Sequence, residues 1–188
     1  MHFIKVLTMF MLIVQLAIIN PSWALERQIM LRRQISEVQK RGNLSFNDRI
    51  NIAVSIVIKQ YPHAELYEVE GVALGGPTKD PTKIDHINVV FHNVNETTVM
   101  INETSPGNFN PPILIGHPWL DDIKIHWPMD LDHANRLKEE AGFTNPYKTV
   151  TLRNPLGPKP GNPLLIFGDG SSQSIIVDTV TGNVTIGK

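Results

Sequence analysis

The chain has 188 residues, with 17 Lys and Arg against 18 Asp and Glu, a formal net charge of −1, and no cysteine. Near-neutral charge without a basic block leaves no electrostatic footprint for nucleic acid or another polyanion. The missing thiols exclude a disulfide framework, a lipoprotein anchor, a cysteine nucleophile and a thiolate metal site, so the core must hold by packing alone.

Residues 1–24 read as an export signal. A weakly basic start (His2, Lys5) leads into an apolar run from Val6 to Ile19 that is short for a membrane span, and Ser22 and Ala24 supply the small residues a signal peptidase needs. The mature protein is therefore expected to be secreted or periplasmic, with no stable membrane span after cleavage. Sequons begin at Asn43, Asn95, Asn102 and Asn183 and are candidate glycosylation sites in a eukaryotic host. Residues 25–43 form an N-terminal helix and linker: Leu31, Ile35 and Val38 stand at helical spacing among Arg27, Arg32, Arg33, Lys40 and Arg41, and Gly42 is a plausible stop.

From residue 44 to 110 the pattern is one helix followed by three strands. Ser45 can cap a helix with Asp48 three residues on, and Ile50, Ala53, Val54, Val57, Ile58 and Tyr61 follow at helical spacing up to Pro62. Ile52 and Ile56 lie off that stripe, which predicts a wide buried arc. Strands are expected from Tyr67 to Ala73, from Ile87 to His92 and from Thr98 to Asn102, on period-two alternation between turn-forming segments. His86 and His92 fall on one face of the second strand.

Residues 130–188 repeat that order. Asp130 caps a helix carrying Leu131, Ala134, Leu137 and Ala141 that stops at Gly142, and strands are expected at Thr149–Leu152, Leu164–Phe167 and Ser174–Val177. The echo is closest near the end of each copy, where Val99, Met100, Ile101 and Asn102 fall on Ile175, Ile176, Val177 and Asp178 at a constant offset of 76. Asn102 and Asp178 are each expected to stabilise the turn that follows by accepting backbone amides.

Here the chain resembles the PepSY family. The residues that carry the likeness are Ala53 to Tyr61, then Pro62-His63-Ala64-Glu65-Leu66-Tyr67-Glu68-Val69, and finally Ser174 to Val184 with its Asp178-Thr179-Val180-Thr181-Gly182-Asn183-Val184 turn. The first copy departs from the pattern with Asn102 and Ser105-Pro106-Gly107 at the turn, and the second with Ala141-Gly142-Phe143 where Tyr-Pro would stand. The resemblance implies an α+β fold of two tandem PepSY-like αβββ units, with antiparallel sheets and the helices packed on one face. It also implies a non-enzymatic module, peptidase-inhibitor-like or propeptide-like, that needs no cofactor and engages a protein partner such as a secreted or envelope enzyme.

The connector, residues 111–129, is the richest stretch in chemistry. His117, Asp121, Asp122 and His126 are of types that ligate zinc or manganese, and a metal-dependent enzyme built on them is the alternative function. Trp119 and Trp127 either anchor the connector between the copies or, with His117 and His126, present a surface to a partner, since interfaces favour tryptophan. A structural envelope protein with no discrete ligand is a third reading. Gly-x-Ser-x-Gly is absent, and Gly168-Asp169-Gly170-Ser171-Ser172 lacks the following helix and lysine of a phosphate cradle.

Overall fold

The computed structural model describes residues 44–118, 124–156, 161–170 and 173–187. The expected leader, the helix over residues 25–41, Asn43, Trp119, Asp121 and Asp122 all lie outside the described residues. The chain from Gly42 onward forms one compact unit.

Helix α1 (Phe46–Gln60) begins where Ser45 and Asp48 form a reciprocal capping box, the Ser45 hydroxyl accepting the Asp48 N–H and the Asp48 carboxylate accepting the Ser45 N–H, each at 3.1 Å. It buries Phe46, Ile50, Ala53 and Val57, and also Ile52, the off-stripe position that predicted a wide contact arc. Strands β1 (Glu65–Val72), β2 (His86–Asn93) and β3 (Thr97–Ser105) follow as an antiparallel meander. Helix α2 (Leu131–Glu140), capped by Asp130, then leads into β6 (Thr149–Arg153), β7 (Leu164–Gly168) and β8 (Ser174–Asp178), again antiparallel.

Three further strands lie beyond those the pattern predicts. β4 (Asn108–Phe109) and β5 (Ile113–Ile115) both pair with the outer side of β3, and β9 (Val184–Gly187) pairs with β8. The connector therefore does not begin as a loop. Ile113-Leu114-Ile115, pinched between Pro112 and Gly116, adds a short strand to the sheet edge.

All nine strands belong to one antiparallel sheet, in the order β4-β3-β2-β1-β6-β7-β8-β9, with β5 beside β3. The two meanders meet through their first strands, β1 and β6, from Glu68↔Arg153 to Val72↔Thr149. Alternation sets the layers. Val69, Ile87, Val89, Phe91, Val99, Ile101, Val150, Leu152, Leu165, Phe167 and Val177 point to one side and form a single buried cluster with Ile50, Ala53 and Val57 of α1 and Leu131 and Ala134 of α2. At the seam Gly71 lets α1 approach closely: a Cβ there would lie 2.7 Å from Ile84 Cγ2 and 3.2 Å from Phe46 Cε2.

One charged pair is set into this core. Arg49 of α1 donates from Nε to Glu103 Oε1 at 2.9 Å, and from Nη2 to Oε2, while Nη1 bonds the Ile84 carbonyl. Glu103, 1% exposed, also accepts the amides of Ile87 (3.2 Å) and Gly107 (2.7 Å). The pair ties α1 to β3 and to the β3–β4 turn.

That turn corrects the expectation for Asn102. Asn102 sits inside β3, opposite Asn88, and its carbonyl accepts the amide of Asn110. β3 runs three residues past it, so the turn falls at Pro106-Gly107 and its amide is received by Glu103. In the second meander β8 ends at Asp178, whose Oδ1 accepts the amides of Val180 (2.9 Å) and Thr181 (2.8 Å).

Candidate functional site

With both helices on one face, the side chains of opposite parity form the outward face of the sheet. Its register can be followed strand by strand. One row runs Asn102–Asn88–Glu70–Thr151–Ile166–Ile176–Thr185 across β3, β2, β1, β6, β7, β8 and β9. A neighbouring row runs Met100–Val90–Glu68–Arg153–Leu164–Asp178. Directly opposed Cβ atoms in such rows lie about 5 Å apart, so each row is a continuous strip of side chains.

The two ends of this face differ. Near the start of β1 it is closed: Tyr67, Glu68, Val90 and Thr98 are buried, and the described parts of the connector bond there. Thr98 Oγ1 donates to the His117 carbonyl at 2.9 Å, Lys124 Nζ reaches Glu65 at 2.8 Å, and the Ile125 amide bonds the Leu66 carbonyl at 2.9 Å. A bulge between Leu66 and Glu68 turns Tyr67 outward, where its ring stacks on His92 with centroids 5.1 Å apart. Toward the other end Glu70 is exposed, and Val72, His86, Asn88, Asn102, Thr151, Ile166 and Ile176 are half-buried. Among the described residues no helix or strand packs over this second region.

The electrostatics of the open region centre on β1. Three of its carboxylates face outward. Glu65 pairs with Lys124 and Glu68 with Arg153 (3.3 Å), whereas Glu70 has no ion pair among the described residues. Its cross-strand neighbour Asn88 buries an Oδ1 that has no hydrogen-bond partner there either. The row is therefore rich in acceptors over β3, β2 and β1 and apolar over β7 and β8.

The sequence-predicted residues fall elsewhere. Trp127, read either as an anchor of the connector or as part of a partner surface, is half-buried against the core, and its Nε1–H donates to Asn47 Oδ1 at 2.9 Å, so its polar edge is engaged within the domain. His117 and His126 are exposed, and His117 Nδ1 lies 3.1 Å from the Pro118 carbonyl. Among the described residues no group of three or more His, Cys, Asp or Glu could hold a metal ion. Of the sequons, Asn95 occupies the β2–β3 turn with φ 61° and Asn183 the β8–β9 turn, both exposed, whereas Asn102 is half-buried in a strand.

A cavity of about 170 Å³ opens beside the end of α2, lined by Lys138, Phe143, Tyr147, Phe167, Ile175 and Ile186. Lys138 is consumed by its own loop. Its Nζ donates to the Phe143 carbonyl at 2.6 Å and lies 5.5 Å and 5.8 Å from the ring centroids of Tyr147 and Phe167. Burial pushes this ammonium below the ordinary lysine value, despite the opposing pull of Glu139.

Neither Glu70 nor the apolar pair Ile166 and Ile176 stands out along the chain. Period-two alternation places each on the outward face. Only the pairing register, which depends on where the strands dock, brings them into one strip. Compared with protein families, curated proteins and solved structures, the chain matches none. Among the described residues no helix is long and apolar enough to cross a membrane.

Proposed function

We propose that this chain is an exported, non-enzymatic binding module made of two PepSY-like αβββ units side by side, inhibitor-like or propeptide-like in action. It engages a protein partner through the outward face of its sheet. The observation that carries this reading is the open strip from Asn102 to Ile176: a broad surface, half apolar and half polar, over which nothing packs among the described residues. Order supports it too, since each helix leads into a three-strand meander and the meanders join edge to edge. Such a surface binds by complementarity and asks for no catalytic group.

The test is capture of partners from the native extracellular or periplasmic fraction with residues 25–188, beside an Ile166→Asp, Ile176→Asp variant of unchanged circular dichroism. The expected result is one stoichiometric partner, retained by the parent and lost by the variant. Equal capture by both proteins, or no stoichiometric partner with either, would refute this assignment of function and surface.

A further inference from the structure

We infer that the open strip recognises a basic side chain, arginine or lysine, seated on Glu70, with an apolar neighbour on Ile166 and Ile176. The inference rests on the sheet face being the binding surface and adds the chemistry of what it binds.

Charge bookkeeping along β1 leads to it. Each outward carboxylate at the closed end has its cation within the domain, Lys124 for Glu65 and Arg153 for Glu68. Glu70 lies one step further along the same face, exposed, on a central strand of the sheet, and without an ion pair among the described residues. Its opposed neighbours are Asn88 on one side and Thr151 on the other, so no cation faces it directly across either strand. Beyond Asn88 stands Asn102, again uncharged.

Asn88 supplies an observation independent of that charge. Its Oδ1 is buried and lacks a donor among the described residues. Asn88 stands directly opposite Glu70, so a guanidinium seated on the carboxylate brings its spare N–H donors to within a small side-chain adjustment of that oxygen. Without a ligand the amide oxygen has no partner among the described residues; with a guanidinium bound, both acceptors are served. Arginine fits best, because its planar fork can serve two acceptors at once.

The apolar requirement follows from register. Ile166 and Ile176 stand two and three strands from Glu70 in the same row, about 10 and 14 Å away at the usual strand spacing. A single short peptide spans that distance. The occupant is therefore a protein segment carrying a basic residue and an apolar residue on the same side.

The experiment uses acetyl-Leu-Leu-Gly-Arg-amide as the probe and the same peptide with citrulline, its neutral isostere, as the control. Each is titrated into ¹⁵N-labelled residues 25–188 and into a Glu70→Gln variant. The arginine peptide should shift the amides of Glu70, Asn88, Thr151 and Ile166 and bind at least about threefold more tightly than the citrulline peptide, as fits one solvent-facing ion pair. Glu70→Gln should abolish that preference while leaving the weaker apolar binding. Equal binding of the two peptides, shifts confined to other strands, or an arginine preference that survives Glu70→Gln would each overturn the inference. A native partner lost on mutating Ile166 and Ile176 but insensitive to Glu70→Gln would leave the binding module standing and remove only its basic specificity.

Discussion

Replacing Glu103 by glutamine is the sharpest test of how this core is held. The carboxylate receives four donors, the Arg49 Nε and Nη2 groups and the backbone amides of Ile87 and Gly107. Glutamine retains one acceptor oxygen and turns an amide NH₂ toward the other two donors, while the Arg49 guanidinium loses its counter-charge inside the protein. Breaking a buried pair on one side costs about 3–5 kcal/mol. Counting two lost charge-assisted bonds at about 1.5–3 kcal/mol each gives a similar range. In urea, with a slope of about 2 kcal/mol/M, the midpoint should fall by about 2 M at unchanged slope. The Arg49→Met, Glu103→Leu double variant removes both charges and should be less destabilised than either single replacement. A Glu103→Gln variant within about 1 kcal/mol of the parent, or a double variant whose loss equals the sum of the singles, would refute the account of the pair as a satisfied, interdependent unit.

Three other perturbations probe the turns and the α2 loop. Gly107 has φ +79° and a Cβ there would lie 2.3 Å from Leu44 Cδ1, so Gly107→Ala should lose about 1–2 kcal/mol from backbone strain alone, with more from the clash, in thermal or urea unfolding. Although burial pushes the Asp178 carboxyl upward, the Thr181 amide, the Asn162 side chain and the Val180 amide together hold it below the usual carboxylate range. Its contribution is then complete above the unfolded value near 3.8 and is lost as pH falls through the lower folded value. Asp178→Ala should accordingly cost about 1–2 kcal/mol at pH 7, with the gap to the parent closing in acid and Asp178→Asn affected least. Lys138 shifts stability in the same direction with pH but for the opposite reason: burial disfavours its ammonium, so its folded value lies below 10.5 and the unfolded chain holds the proton longer. The parent should therefore gain stability relative to Lys138→Met as pH rises toward 10.5, as read from paired urea curves between pH 8 and 10. A flat difference would show that the ammonium is not penalised where it sits.

Much of the scaffold can be read along the chain because local signals and burial agree. Ser45 and Asp48 mark the start of α1, and the alternation of Val69 with Glu68 and Glu70, and of Val150 with Thr149 and Thr151, marks the faces of β1 and β6. The 76-residue echo has the phase right, since Ile101 and Val177 are both buried, but its last position misleads: β3 outruns β8, and the turn acceptor moves from Asn102 to Glu103. Nothing near Glu103 announces burial, since a lone carboxylate in Asn102-Glu103-Thr104 reads as surface until Arg49, 54 residues earlier, is brought beside it. Strand β5 is hidden for another reason. Three apolar residues between Pro112 and Gly116 carry no period, and only the free edge of β3 makes them a strand. The same limit applies to the open strip, whose members are scattered from Glu70 to Ile176 and meet only through the sheet's register.

The seam between β1 and β6 bears on how such a chain can be divided. Antiparallel pairing of two first strands is compatible with two-fold symmetry, and each strand there is an inner member of the sheet only because the other covers it. Severed after the third strand, a half-chain would expose the backbone of β1 as a naked edge, carrying the buried Val69 and the glycine on which Phe46 packs. Two such halves could restore the lost pairing by meeting β1 to β1. The half-molecule would then exist as a homodimer rather than a monomer, and the covalent connector would serve chiefly to make that association independent of concentration.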